Sequence, residues 1–288
     1  MFFKFFPLVN FFAIPAIRYF WFRRRCGLPQ WGPRRPALSP LPSPLAGRVA
    51  LVTGGARRVG AAIVEALHGA GASVVIHYGR SAEAARALAE RLEALRPGST
   101  ALLAADLLNG QERDALVPAA AAAFEGLDLL VNSASIFRPT AFGSIDEDDW
   151  QALIDSNLKA PLFLSQAALP WLRRRQGLIV NIVDIHARRP LGGFPLYCTA
   201  KAGLQMLTYA MARELGPEVR VNGVAPGPVL RPDDMDAVTW DQAILERIPL
   251  RREGHPSDVA ACVLYLATTG SYVNGQVIAV DGGRNLGF

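Results

Sequence analysis

Tyr197 and Lys201 stand four residues apart in LYCTAKAGLQ, and Asp184 precedes the tyrosine in IVNIVDIHA. On a helix, positions i and i+4 share a face, which puts the Lys201 ammonium beside the Tyr197 phenol. A nearby positive charge favours the ionised phenol and lowers its pKa. Tyr197 is then a general acid usable near neutral pH. Asp184 closes an apolar run of strand type, where a carboxyl is costly unless it has a partner. A Tyr-x-x-x-Lys pair arises by accident on many amphipathic helices, so the surrounding elements must carry the case.

Those elements alternate. Apolar runs without polar alternation occupy residues 49–53, 73–77, 100–105, 129–132, 178–183, 220–224 and 276–280. Helical patterns fill 59–69, 82–95, 111–124, 147–175 and 196–215. Such runs are what a parallel sheet covered on both faces requires. The rhythm predicts an α/β fold: a Rossmann-type doubly wound parallel sheet of about seven strands, with ligands at the carboxyl ends of the strands. Residues 46–288 read as a single domain.

The first strand runs into Gly54-Gly55-Ala56-Arg57-Arg58-Val59-Gly60 and then a helix. Glycines let backbone approach a pyrophosphate, and the helix N-terminus offers free N–H groups. NAD sites place an acid about 20 residues on, at the end of the second strand. Here that position holds His77-Tyr78-Gly79-Arg80-Ser81, with no acid before Glu83. Guanidinium and hydroxyl groups suit a 2′-phosphate that a carboxylate would repel, and Arg57 lies within the same loop. The expected cofactor is NADPH. Ser81 also reads as the N-cap of the helix over 82–95.

Hydrophobic residues make up 51% and charged residues 19% of 288, enough for a sizeable core. The formal charge of +5 is uneven: residues 1–45 hold seven basic and no acidic side chains, leaving the remainder at −2. That balance argues against nucleic-acid binding by the body of the chain. Residues 1–22 are apolar, then basic and Pro-rich. A membrane anchor or interfacial helix, a disordered extension and a start assigned too far upstream all fit. Cys26, Cys198 and Cys262 have neither disulfide nor metal spacing, which points to a reducing, cytoplasmic setting. His68, His77, His186 and His255 are scattered and form no metal set, so surface or loop roles are the default for them; His186 and Arg188 lie near the candidate pocket.

With strand, phosphate loop, Asn157, Tyr197 and Lys201 in this order, residues 47–288 resemble the short-chain dehydrogenase/reductase family. Pro226-Gly227 and Asp281–Gly283 match later landmarks of that family. TGGARRVG, HYGRS, VNSASIFRPT, Asp184 in place of a serine, and DDMDAVTW together resemble its pteridine reductases. The resemblance implies Tyr197 as proton donor, Lys201 as its tuning partner and ribose holder, Asp184 as relay, and Asn157 as helix anchor. It implies cofactor contacts from Gly54, Arg57, Arg58, Val59, Gly60, His77, Tyr78, Arg80, Ser81, Asp106, Leu107, Asn132, Ser133, Ala134, Pro226 and Gly227. It implies substrate contacts from Arg58, Ser135, Phe137, Asp184 and Tyr197, and a homotetramer; Leu230 and Trp240 fall on a loop over the pocket, where they either touch substrate or pack the lid. Ser133 departs from the asparagine usual near that place.

An ionised carboxylate cannot donate a hydrogen bond to a ketone oxygen as serine does. Asp184 suits a relay toward ring nitrogens, and Phe137 suits a planar heterocycle. The expected activity is therefore reduction of a pterin C=N bond. A 3-oxoacyl-carrier-protein or other carbonyl reductase is the alternative, with a non-catalytic NADP-binding scaffold behind it.

Overall fold

The computed structural model describes residues 43–229 and 242–286. Seven strands run parallel: β1 Val49–Val52, β2 Ser73–Tyr78, β3 Thr100–Ala104, β4 Leu129–Asn132, β5 Leu178–Ile182, β6 Arg220–Pro226 and β7 Val277–Val280. The helices are α1 Arg58–Gly69, α2 Ala82–Leu95, α3 Gly110–Ala123, α4 Glu147–Ile154, α5 Ala160–Arg175, α6 Pro195–Leu215, α7 Gln242–Glu246 and α8 Pro256–Ala267. Sheet order is β3-β2-β1-β4-β5-β6-β7, a doubly wound sheet that reverses between β1 and β4. Among the described residues, no helix is long and apolar enough to cross a membrane.

The unbroken apolar runs now have their reason. Ala50, Val52, Val74 and Ile76 pack with Ile63, Val64 and Leu67 of α1, Leu88 of α2 and Val263 of α8 on one face. Leu51, Val75, Leu130 and Ile179 pack with Val117 of α3, Leu164 of α5 and Met211 of α6 on the other. Each fully buried Leu or Ile side chain of these layers contributes about 1.5–3 kcal/mol of transfer free energy.

Two helical expectations need correction. The span 147–175 is not one helix: residues Asp155–Lys159 form a π-helical turn between α4 and α5. A π turn leaves a carbonyl without its usual partner, and Asn157 Nδ2 donates to Leu153 O at 2.9 Å. Helices α7 and α8 have no counterpart among the expected helices, although Pro256 at the start of α8 and a capping box from His255 and Asp258 mark its N-terminus.

Candidate active site

The reacting groups converge beyond the carboxyl end of β5. That strand ends at Ile182, and Asp184 then takes an extended conformation before a 3₁₀ turn over Ile185–Ala187. Its Oδ1 accepts from the His186 N–H at 2.8 Å, capping that turn. Its Oδ2 accepts from the Tyr197 hydroxyl at 2.7 Å. Capping and pairing with the phenol thus occur together, one on each carboxylate oxygen.

Helix α6 delivers Tyr197 and Lys201 on one buried face, with Pro195 in its first turn. Lys201 Nζ donates to Ile182 O at 2.9 Å and lies 5.7 Å from the centre of the Tyr197 ring. Burial lowers the Lys201 pKa to about 8, and Asp184 opposes that fall. Tyr197 runs against expectation: its pKa is raised, not lowered. Burial is the main cause, followed by the charge of Asp184 and the hydrogen bond to it, while Ser135 opposes. Burial and the carboxylate in direct contact set the direction, while the Lys201 ammonium turns toward a main-chain carbonyl. Tyr197 therefore keeps its proton across neutral pH, as a proton donor must.

Asn157 is fully buried in the π turn, where Nδ2 donates to Ile136 O at 2.9 Å and Oδ1 accepts from Ser135 Oγ at 2.6 Å. These bonds tie the segment after β4 to the helix pair. They also present Phe137, whose ring stacks on Phe194 (4.6 Å, 13°) and meets Tyr197 edge-on (4.8 Å, 83°). Phe137 stays 38% exposed, so part of the ring is open for contact. Phe194 escaped the sequence reading, although an aromatic three residues before Tyr197 at a helix start was the available signal.

The loop after β1 is built for close approach. Gly54 has φ +62°, and a Cβ there would lie 2.9 Å from Ala134 Cα. A Cβ on Gly60 would lie 2.1 Å from Gly54 O, so α1 begins hard against the turn. This Cβ-free cradle at a helix N-terminus fits a dinucleotide pyrophosphate. Arg58 opens α1 at φ +53°. Arg57, Arg80 and Ser81 line one open pocket beside the start of α2. Ser81 occupies the N-cap position but makes no side-chain cap bond.

Other assigned contacts resolve differently. His77 is buried, with both ring nitrogens on main-chain groups, so it supports the loop rather than facing a ligand. The Asn132 side chain turns inward, donating to Ser165 and Asn181, and Leu107 packs in the core. The N–H groups of Ser133 and Ala134 both donate to Thr53 Oγ1, at 2.9 and 3.1 Å. Tyr78 ends β2, and Val59, in the first turn of α1, packs against the core. Asp106 is exposed after β3, its carboxylate accepting from Leu108 N–H. Pro226 ends β6, and Gly227 packs so closely on Asp281 that a Cβ would lie 2.6 Å from its Cβ. Leu230 and Trp240 lie outside the described residues. His68, expected at a helix surface, is buried against Ser99. Arg188 is bound to Gln205 and Tyr209.

A solved structure of a double mutant of a Serratia marcescens short-chain dehydrogenase/reductase superposes with a TM-score of 0.80 at 33% identity, covering 84% of this chain and 99% of that one. A family model described as Enoyl-(Acyl carrier protein) reductase matches residues 54–285. The chain belongs to the short-chain dehydrogenase/reductase family. As a member it is an oxidoreductase that works with a nicotinamide dinucleotide. A 3-oxoacyl-[acyl-carrier-protein] reductase of Synechocystis sp. is 37% identical over 243 residues, covering 83% of this chain and 97% of the relative. Pteridine reductase 1 of Leishmania tarentolae is 36% identical over 279 residues, covering 83% and 96%.

Proposed function

We propose that this short-chain reductase uses NADPH to reduce a C=N bond of a planar pterin-class heterocycle. The observation that carries the reading is the Asp184–Tyr197 hydrogen bond of 2.7 Å. It puts an acceptor, rather than a hydroxyl donor, beside the phenol. When bound, the cofactor supplies the hydride. Tyr197 then gives its proton to the adjacent ring nitrogen, and the Asp184 carboxylate holds the phenol in line and leads a replacement proton to it. Lys201 places a positive charge near the phenol, and the Ser135–Asn157 pair fixes the floor. Phe137, backed by Phe194, offers an aromatic face to a flat ring. Arg57, Arg80 and Ser81 support NADPH over NADH, because their groups bind a 2′-phosphate.

A second reading, 3-oxoacyl-carrier-protein reduction, has the better support from similarity alone. The Synechocystis enzyme matches at slightly higher identity than the pteridine reductase, and a Staphylococcus aureus 3-oxoacyl-[acyl-carrier-protein] reductase matches at 36%. The two readings part at Asp184, which cannot donate to a ketone oxygen when ionised. NADPH oxidation by the purified protein is to be compared with dihydrobiopterin, dihydrofolate and an acetoacetyl thioester. The pterin reading requires kcat/KM for one of the first two to exceed that for the thioester by about 100-fold. The opposite order hands the function to the second reading.

A further inference from the structure

His77 sits in β2, 2% exposed, directly under the turn that opens the cofactor site. Its ring Nδ1 accepts from the Gly54 N–H at 3.1 Å, and its main-chain oxygen accepts from the Gly55 N–H at 2.9 Å. One residue thus takes the first two N–H groups of the turn. An Nδ1 that accepts leaves the proton on Nε2, and Nε2 lies 3.1 Å from Ala105 O, which can only accept. The ring is therefore held as the neutral Nε2–H tautomer, bridging the turn to the end of β3.

The turn has no slack to absorb a change here. Gly54 packs so closely that a Cβ on it would collide with Ala134, and a Cβ on Gly60 would collide with Gly54 O. Moving Gly54 therefore moves the start of α1, whose N–H groups form the anion cradle. A second proton on the ring would put an N–H at Nδ1 against the Gly54 N–H, donor against donor, and that contact must open.

We infer that His77 is a positioning residue of the cofactor loop. It holds the turn only while its ring is unprotonated, so dinucleotide affinity falls once the pH drops below the ordinary imidazole range.

Burial lowers the His77 pKa and the bond to Ala105 opposes that, so the loss sets in below the ordinary histidine range. Charged groups on the neighbouring elements are Arg57 and Arg58 in the loop, Glu65 on α1, Arg80 after β2, Glu83 and Arg86 at the start of α2, Asp106 after β3, and Glu112, Arg113 and Asp114 on α3. None of them contributes to the His77 shift. Asp106 is occupied with Leu108, and Glu112 with the Asp106 main chain and Asn109. Arg113 is paired with Asp114 and lies over Phe163. Both ring bonds of His77 go to main chain.

The test is calorimetric titration of the full chain with NADP+ and, separately, NAD+, from about pH 8 to about pH 4.5. NAD+ carries no 2′-phosphate, so its curve excludes titration of that group. The wild type should lose about tenfold in affinity for both dinucleotides across this range. His77→Asn keeps an acceptor near the Nδ1 position without a titratable ring. It should bind within about threefold of wild type at the upper pH and stay flat. His77→Phe should bind about tenfold more weakly at the upper pH and also stay flat. If His77→Phe fails to fold, the asparagine variant decides alone. Flat NAD+ affinity in the wild type, or an equal decline in His77→Asn, overturns the inference. Absence of binding by either dinucleotide at the upper pH overturns the cofactor assignment as well, which separates the two failures.

Discussion

Replacing Asp184 with asparagine removes one charge and no volume, yet it should damage the reaction in two ways. The carboxylate accepts twice, from His186 N–H at 2.8 Å and from the Tyr197 hydroxyl at 2.7 Å. An asparagine has one acceptor oxygen. If it serves the turn, the amide nitrogen faces the phenol and competes to donate. If it serves the phenol, the amide nitrogen meets the His186 N–H. A hydrogen bond to a charged group contributes about 1.5–3 kcal/mol, so one lost in the transition state lowers kcat about 10- to 150-fold. The second effect is on pH dependence. The Lys201 pKa of about 8 already includes an upward push from Asp184. Removing the carboxylate lets burial act unopposed, and the pKa falls. Wild-type kcat should decline as pH rises through about 8 with loss of the lysine proton, and in the variant that decline should begin at lower pH. Stopped-flow single turnovers with NADPH and dihydropterin across the pH range measure both terms. Unchanged turnover, or an alkaline limb that does not move, would refute the assignment of Asp184 and Lys201 to one coupled unit. Asp184→Ser adds a check on substrate class, because the serine hydroxyl can donate to a carbonyl oxygen and should raise the ratio of ketone to pterin reduction.

Three further outcomes follow from the same geometry. Gly60→Ala places a methyl carbon 2.1 Å from Gly54 O, so dinucleotide binding measured by fluorescence should be lost and Tm should fall, with overpacking costing about 1–3 kcal/mol. Retained affinity would contradict the tight-turn account. Arg80→Ala should weaken NADPH binding about 10- to 100-fold and leave NADH almost untouched; equal losses for both would remove the 2′-phosphate argument. Phe194→Ala takes away the ring stacked 4.6 Å from Phe137. Truncating a buried aromatic costs about 3–5 kcal/mol of stability, and KM for the heterocycle should rise more than kcat falls. An unchanged KM in a folded variant would show that Phe137 needs no backing.

Much of the scaffold was readable from residue order. Ranges such as 129–132 and 82–95 agree with β4 and α2 because unbroken apolar runs and amphipathic runs report burial on two faces or one. The 147–175 helix did not survive intact, since an α-helix and a π turn share one hydrophobic pattern, and only hydrogen-bond register separates them. The missing α8 illustrates the converse, a helix too apolar to show a polar face. Within the site, the Asp184–Tyr197–Lys201 set was visible by type and spacing. The protonation balance was not, because pKa depends on distances between groups far apart in the chain.

Residue types and local periodicity, taken by themselves, determined the α/β class, the glycine turn before a helix, and which acid, phenol and amine could meet. Tertiary structure decided what each side chain spends its hydrogen bonds on. Packing sent His77 and Asn132 inward, turned Lys201 toward Ile182 O, and set Phe194 behind Phe137. Chain spacing restricts neighbours only within a few residues. Contacts between residues such as 54 and 77, or 137 and 194, exist only once the sheet has brought their strands and loops together.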